Sequence, residues 1–161
     1  MDIRLAQTKD ISGLIHLLRQ VGPVHHELRP DIFVPGTLKY DEAALAELLK
    51  DEARPVFVAT EDEQLLGYCF CIHRDHQKSS SGTCRKELYI DDLCIEEQYR
   101  GHGVAEALYR HAEQYAKDWG CNFVTLNVWC GNDRAMGFYR KMGLRPRHIM
   151  MEQPLEDVDA D

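Results

Sequence analysis

The sequence predicts one α/β domain in which helices cover a mixed, mostly antiparallel sheet. Strand-like and helix-like segments follow one another in the order β-α-α-β-β-β-α-β-α-β. The chain has 161 residues, of which 44% are hydrophobic, and this length suits one hydrophobic core. No repeat or low-complexity linker divides the sequence. We therefore expect a single domain over residues 1–155 and an acidic, disordered tail at residues 156–161.

The first half of the chain contains a short strand, two helices and two longer strands. Thr8 is a suitable N-cap for the first helix, and Gly22-Pro23 marks its expected end. Three prolines predict a loop over 23–40. The other predicted elements are strands at 3–6, 56–59 and 65–72, a helix around 44–49 and a turn at 61–63.

The second half of the chain alternates strands and helices. Its predicted elements are a strand over 87–95, a helix over 104–119, a strand over 123–129, a helix over 132–142 and a last strand over 149–155. Gly120 and Gly143 directly follow the two helices, as expected of residues that end a helix. Asn132 or Asp133 is a suitable N-cap for the second of them. The serine run that ends at Gly82 predicts a hairpin loop.

Composition and charge exclude several classes of function. The formal net charge of −8 argues against a chain that binds nucleic acid or an anionic membrane surface. No apolar run approaches the roughly 20 residues of a membrane span, and the first residues lack the pattern of a secretory signal. Six cysteines in such a chain predict reduced thiols and a cytoplasmic location. The close histidine sets, His25-His26 and His73-x-x-His76, lack metal-ligand spacing, so we expect no metal site.

The stretch from Leu88 to Ala105 carries the clearest functional pattern, a strand followed by a glycine-rich turn and the start of a helix. Such a turn directs unpaired backbone N–H groups and the positive end of the helix dipole at one point, which suits a phosphate. A P-loop is excluded because Gly-Lys followed by Ser or Thr is missing. The dinucleotide pattern G-x-G-x-x-G is not met either, because Glu106 stands at its last position.

This turn resembles the R/Q-x-x-G-x-G/A turn of the GCN5-related N-acetyltransferases, the GNAT family. Arg100-x-x-Gly103-x-Ala105 fits that pattern, and Gln98-x-x-Gly101-x-Gly103 fits it two residues earlier. We prefer the later frame, because the helical period starts directly after Gly103.

A second motif, from Asn132 to Leu144, resembles the N-x-x-A-x-x-F-Y-x-x-x-G-F segment of the same family. It lies one helix and one strand beyond the turn, as the family requires. Together the two motifs extend the resemblance over essentially the whole chain. They imply a GNAT-like α/β (α+β) fold with a mixed, mostly antiparallel sheet flanked by helices on both faces.

The resemblance also implies that acetyl-CoA is the co-substrate. In the family the turn grips the pyrophosphate of coenzyme A, and strand backbone pairs with the pantetheine arm. The residues implied for this binding are Leu93, Cys94, Ile95, Arg100, Gly101, His102, Gly103, Val104, Ala105, Asn132 and Tyr139. A backbone N–H near the first three would also stabilise a tetrahedral oxyanion.

The candidate catalytic residues are Tyr139, Asp92 and Asp91. Tyr139 matches the family's tyrosine beside the thioester sulfur and is the expected general acid for the departing thiolate. Aspartate is depleted in strands, so the pair of carboxylates is unusual, and one of them is expected to take the amine proton. Strand parity does not decide which, because a β-bulge would change the alternation of faces.

The resemblance predicts a direct transfer of an acetyl group to a primary amine of a small molecule, peptide or protein. The acidic surroundings favour a cationic acceptor. A non-catalytic acyl-CoA sensor on the same fold is the alternative. The family also makes a homodimer an open possibility. Loop and helix residues His25, His26, Glu27, Asp31 and Tyr40 are loose candidates for acceptor contacts.

Overall fold

The structure is a computed structural model that describes residues 1–76, 82 and 85–155. Its strands are β1 (Asp2–Leu5), β2 (Val56–Glu61), β3 (Gln64–His76), β4 (Arg85–Ile95) and β5 (Phe123–Leu126). Its α-helices are α1 (Ile11–Leu28), α2 (Glu42–Leu48), α3 (Val104–Asp118) and α4 (Asp133–Lys141). Short 3-10 turns, Thr8–Asp10 and Glu97–Tyr99, follow β1 and β4.

The five strands form one sheet in the order β1-β2-β3-β4-β5. β1 to β4 pair antiparallel, whereas β4 and β5 pair parallel and are joined by the crossover helix α3. The predicted mixed, mostly antiparallel sheet is therefore confirmed.

Each face of the sheet carries its own hydrophobic core, because side chains along a strand alternate between faces. We call one the α3 core; it includes Phe57, Cys69, Leu88 and Leu108 and packs under α3 and α4. We call the other the α1 core; it includes Leu14, Leu45, Val58, Tyr68, Phe70 and Cys94 and packs under α1 and α2. Helices on both faces, as the resemblance implies, are confirmed.

The first helix is longer than expected and passes through Pro23 to Leu28. A proline inside a helix removes one backbone hydrogen bond and costs about 3 kcal/mol. Val21 packs against the α1 core and Leu28 lies against Gly131, so tertiary contacts hold the helix together on both sides of the proline. The expected end at Gly22-Pro23 is therefore wrong, and the loop begins at Arg29.

Two strand predictions are also corrected. β5 ends at Leu126 instead of residue 129, where its pairing with β4 stops. Residues 149–155 contain no strand. Ile149, Met150 and Met151 are exposed by 79%, 89% and 85%, and three successive apolar residues lack the alternation that pairing at a half-buried edge requires.

Two further predictions fall outside the described residues. The hairpin loop around 79–82 is described only at Gly82, and the acidic tail at 156–161 is not described. Within the ranges given above, no helix combines the length and the apolar character needed to cross a membrane.

A buried carboxylate anchors the segment that follows α4. Glu87 on β4 is 5% exposed and contacts His76 of β3 and the guanidinium of Arg147, the latter at 3.1 Å. Burial alone would raise the pKa of Glu87, but hydrogen bonds and the charges of His76 and Arg147 outweigh it and lower that pKa below its ordinary value. Ion pairing, rather than strand pairing, thus ties residues after α4 to the sheet.

We expect Glu87→Gln to lower the free energy of unfolding by about 2 kcal/mol at pH 7, because it removes charge-assisted hydrogen bonds. A carboxylate with a lowered native pKa stabilises the fold above its unfolded pKa and loses that contribution as the pH falls. The difference in free energy of unfolding between the wild type and Glu87→Gln should therefore shrink below about pH 4.5, as measured by urea titrations.

Glu113→Gln is the matched control, because Glu113 pairs with Arg110 and Lys117 on the surface of α3. It should change the free energy of unfolding by at most about 0.5 kcal/mol. Equal losses in the two variants would contradict the anchoring role of Glu87.

Candidate active site

A β-bulge in β4 determines the direction of the two candidate carboxylates. Phe70 of β3 pairs with Asp92, but its neighbour Cys71 pairs with Ile90, so Asp91 is the extra residue. Ile90 packs in the α3 core, whereas Asp92 hydrogen-bonds to Tyr68 in the α1 core. The bulge thus reverses the alternation that strand parity alone would give.

Asp91 lies beside the loop that precedes α2. Its Oδ2 accepts a hydrogen bond from Lys39 Nζ at 2.7 Å and lies 3.5 Å from the hydroxyl of Tyr40. Tyr40 stacks on Phe70, and its hydroxyl accepts a hydrogen bond from Arg54 at 2.8 Å. Both carboxylates therefore have their partners on the α1 side of the sheet.

Asp92 is partly buried and has its partner inside the α1 core. The hydroxyl of Tyr68 donates a hydrogen bond to Asp92 Oδ2 at 2.8 Å, and Tyr68 itself is fully buried. Burial raises the pKa of Asp92 above its ordinary value, although the Tyr68 hydrogen bond and the charge of Lys39 act in the opposite direction. A carboxylate with a raised pKa is a stronger proton acceptor, which suits a general base.

Tyr139 reaches the same region from the other face of the sheet. It lies on α4, packs against the α3 core and has its ring 6.5 Å from that of Tyr109. Burial raises the pKa of Tyr139, and the charges of Cys69 and Asp92 add to the effect. Its phenol is therefore protonated at neutral pH, as a proton donor must be.

The edge of β4 opens beside these residues. β5 pairs with β4 only as far as Ile90, so the described chain supplies no β5 partner for Asp91–Ile95. Leu93 and Ile95 face the α3 core, while Cys94 faces the α1 core. A strand edge of this kind offers backbone N–H and C=O groups to an extended ligand.

Cys94 is poorly suited to act as a nucleophile. It is 6% exposed, and burial raises the pKa of its thiol to about 12. Its Sγ lies 3.9 Å from the carbonyl oxygen of Leu17, on the α1 side of the sheet.

The glycine turn leads from the end of β4 into α3. Gly101 and Gly103 have φ angles of +80° and +82°, which favour glycine, and nothing lies within 4 Å of the position of an added Cβ. α3 begins at Val104, directly after Gly103, which agrees with the later motif frame. Arg100 donates from Nε to the carbonyl oxygen of Ile95 at 3.3 Å.

Other predicted coenzyme residues surround this turn. His102 is exposed and bonds through its ring to the Arg100 carbonyl at 3.0 Å, while Val104 is buried and Ala105 packs against the α3 core. The first N–H groups of a 15-residue helix have no intrahelical acceptor and favour an anion. The open space beside the two glycines, their positive φ angles and the unpaired N–H groups at the start of α3 together suit the binding of a phosphate at this turn.

Asn132 is the N-cap of α4, as predicted. Its side-chain oxygen accepts a hydrogen bond from the backbone N–H of Ala135 at 3.1 Å. This capping role sets the start of the helix that carries Tyr139.

A separate polar cavity of about 550 Å³ lies on the α1 side, beyond the end of β4. His16, Gln64, Leu65, Glu96, Glu97, Gln98 and Gly13 line it. Its two glutamates disfavour phosphate, and it contains neither Asp91 nor Asp92. We therefore place the candidate site at the open edge of β4. Over the described ranges, no three His, Cys, Asp or Glu side chains are grouped so as to hold a metal ion.

Of the loose acceptor candidates, Tyr40 lies next to Asp91. His26 is bonded to the carbonyl oxygen of Phe33 at 2.6 Å, and Asp31 is paired with Arg29. Two side chains at the site, Lys39 and Tyr68, were not predicted from the sequence. The signal for Tyr68 is its place in a buried strand, where its hydroxyl needs a polar partner.

Comparisons with known proteins show the family and the fold of this chain. The sequence profile of the Acetyltransferase (GNAT) family matches residues 23–144. An uncharacterised N-acetyltransferase of Mycobacterium bovis is 32% identical over 113 residues, which cover 70% of this chain and 65% of that protein. Thialysine N-epsilon-acetyltransferase of Bos taurus is 26% identical over 151 residues, which cover 88% of this chain and 82% of that protein.

A crystal structure of a mutant protein from Bacillus halodurans has the same fold. It matches with a TM-score of 0.92 and 29% identity, covering 97% of this chain and all of that one. The matching family profile and the shared fold together define the class of this chain. The chain belongs to the GNAT family.

We expect Asp92→Asn to raise the melting temperature at pH 8. An acid whose native pKa lies above its unfolded pKa destabilises the folded state once it is ionised, and the amide removes that charge. The gain should grow as the pH rises above about 3.8, the ordinary pKa of the carboxyl, and vanish in acid, where both side chains are neutral.

Asp118→Asn, at the exposed end of α3, is the control and should show no such growth with pH. A melting temperature for Asp92→Asn below that of the wild type at pH 8 would contradict the assignment of Asp92 as a destabilised carboxylate.

Proposed function

We propose that this protein is an acetyl-CoA-dependent N-acetyltransferase that transfers an acetyl group directly to a primary amine of a small molecule or peptide. The observation that carries the proposal is the placement of a carboxylate with a raised pKa, Asp92, and a phenol with a raised pKa, Tyr139, on opposite faces of the sheet beside the open edge of β4. Acyl transfer to an ammonium needs these two groups, one to accept a proton and one to donate a proton.

The proposed coenzyme site extends from the glycine turn to the gap beside β4. The turn and the start of α3 bind the pyrophosphate, with Arg100 as a further charge. The backbone of Leu93–Ile95 pairs with the pantetheine arm. This arrangement brings the thioester toward the bulge.

The proposed reaction proceeds by three proton transfers around one acyl transfer. An alkyl ammonium with a pKa of roughly 10 loses a proton to Asp92, directly or through water. The amine then attacks the thioester carbonyl, where a backbone N–H of β4 stabilises the oxyanion. As the C–N bond forms and the C–S bond breaks, Tyr139 donates its proton to the thiolate of coenzyme A. The acylated nitrogen then gives its second proton to the Tyr139 phenolate, directly or through water, which restores the phenol and leaves a neutral amide.

The acceptor is proposed to carry a primary alkyl ammonium. Asp91 and Asp92 follow one another in β4 and supply two carboxylates to the α1 side of the gap, one of them already paired with an alkyl ammonium, that of Lys39. The cattle relative, which matches over 88% of this chain, is named for transfer to an Nε amine of thialysine. A cationic side-chain amine agrees with both.

The test is release of free coenzyme A thiol with a panel of primary amines, together with calorimetric binding of acetyl-CoA. We expect binding by the wild type and thiol release with at least one amine. Tyr139→Phe should lower kcat about 100-fold, the size of a lost general acid, with little change in KM for acetyl-CoA.

Tyr109→Phe is the matched control, because Tyr109 neighbours Tyr139 within the same core. It should retain activity. Binding of acetyl-CoA without thiol release for any amine would favour the acyl-CoA sensor, and absence of binding would reject both functions.

We further expect Gly103→Ala to weaken acetyl-CoA binding at least tenfold. The φ of +82° costs an alanine about 1 kcal/mol or more, and its methyl group would stand where the phosphate approaches. Gly120→Ala provides the control, because Gly120 has a φ of +73° at the other end of α3. Both variants should lose stability in thermal melts, but only Gly103→Ala should lose affinity in calorimetry; equal affinities would contradict the assignment of the turn.

The homodimer and the cytoplasmic location stay predictions from the sequence and its resemblance.

A further inference from the structure

A lysine of this chain occupies the position that the acceptor amine is proposed to take. The Nζ of Lys39 lies 2.7 Å from Asp91 Oδ2, and its charge also acts on Asp92. Lys39 belongs to the loop between α1 and α2, 52 residues before Asp91 in sequence. The contact therefore depends on the fold and not on sequence proximity.

The surroundings of Lys39 resemble a binding site for an alkyl ammonium. The Asp91 side chain is 19% exposed, and Nζ lies 5.8 Å from the centre of the Tyr40 ring. A carboxylate and an aromatic face are the two groups that recognise a primary ammonium. Burial alone would lower the pKa of Lys39, but the charge of Asp91 outweighs it and raises that pKa.

The lysine is also free enough to react. Its side chain is 42% exposed, and it ends a flexible four-carbon stem. Its ion pair with Asp91 is partly open to water, so a competing ammonium can displace it.

We propose that Lys39 is an internal acetyl acceptor, modified by the protein's own site when no amine substrate is present. This inference rests on the proposed function. The Lys39 ammonium gives a proton to the adjacent carboxylates, and its lone pair attacks the thioester carbonyl of acetyl-CoA. The C–N bond forms, the C–S bond breaks, and the thiolate takes the proton of Tyr139. The nitrogen then gives its second proton to the Tyr139 phenolate, directly or through water, which restores the phenol. The products are Nε-acetyl-Lys39 and coenzyme A.

This modification changes the site that produces it. Acetylation removes the positive charge of Lys39 and with it the ion pair to Asp91. Asp91 then faces the gap without a protein cation at 2.7 Å. The unmodified lysine masks the acceptor site, and the acetylated lysine leaves it open.

The experiment incubates the full chain with acetyl-CoA alone and follows intact mass and peptide maps over time. We expect one acetyl group at Lys39, added at a rate independent of protein concentration because the transfer is intramolecular. Lys39→Arg keeps the charge and should abolish the modification. Lys50→Arg is the control, because Lys50 is 71% exposed and pairs with Glu47 on the surface; it should be acetylated at Lys39 like the wild type.

Further arms separate an enzymatic from a chemical reaction. Tyr139→Phe should slow Lys39 acetylation by about the same factor as thiol release with an added amine, and a reactive amine should protect Lys39. Equal acetylation of Lys39 and Lys50, or no slowing in Tyr139→Phe, would overturn the inference.

The outcomes also distinguish this inference from the proposed function. Thiol release with an added amine, but no acetyl group on Lys39, would overturn the internal acceptor and leave the transferase. Absence of acetyl-CoA binding, or binding without acetylation of any amine or of Lys39, would overturn both.

Discussion

One extra residue in β4 is the constraint on which the site depends. The bulge at Asp91 directs the side chains of Asp91 and Asp92 toward partners on the same side of the sheet. It also coincides with the end of the pairing to β5, so that the following stretch of β4 has no β5 partner on that edge in the part of the chain that the structure describes. The directions of the two carboxylates and the start of the open strand edge therefore coincide at the bulge in β4.

Much of the fold follows from periodic patterns, because burial on one face imposes a period on the sequence. α3 starts at Val104 and α4 is capped by Asn132, as local signals indicate. The local sequence wrongly predicts that α1 ends at Pro23, because contacts made by Val21 and Leu28 with distant segments keep the helix intact. A strand at 149–155 fails for a related reason, since a strand requires a neighbouring edge that the sequence does not reveal.

The site was predictable in its residue types more than in its geometry. Two aspartates in a strand stand out by composition, but the directions of their side chains depend on a β-bulge. A glycine inside a strand can signal a bulge in the sequence, whereas the aspartate at position 91 gives no such signal. Lys39 was missed because a surface loop gives no periodic signal for a partner 52 residues away. Environment, rather than identity, then distinguishes the carboxylates: burial raises the pKa of Asp92, whereas Asp91 is held by an ion pair.

The sheet separates the two halves of the proposed reaction. The glycine turn, α3 and α4 form the proposed coenzyme side, while the loop between α1 and α2 places Lys39 at the carboxylates. The two sides draw on different helices and loops and share the strands of the sheet. On the proposed function, substitutions in residues 29–41 would alter the choice of acceptor without changing the coenzyme residues, which would make this scaffold adaptable to new amines.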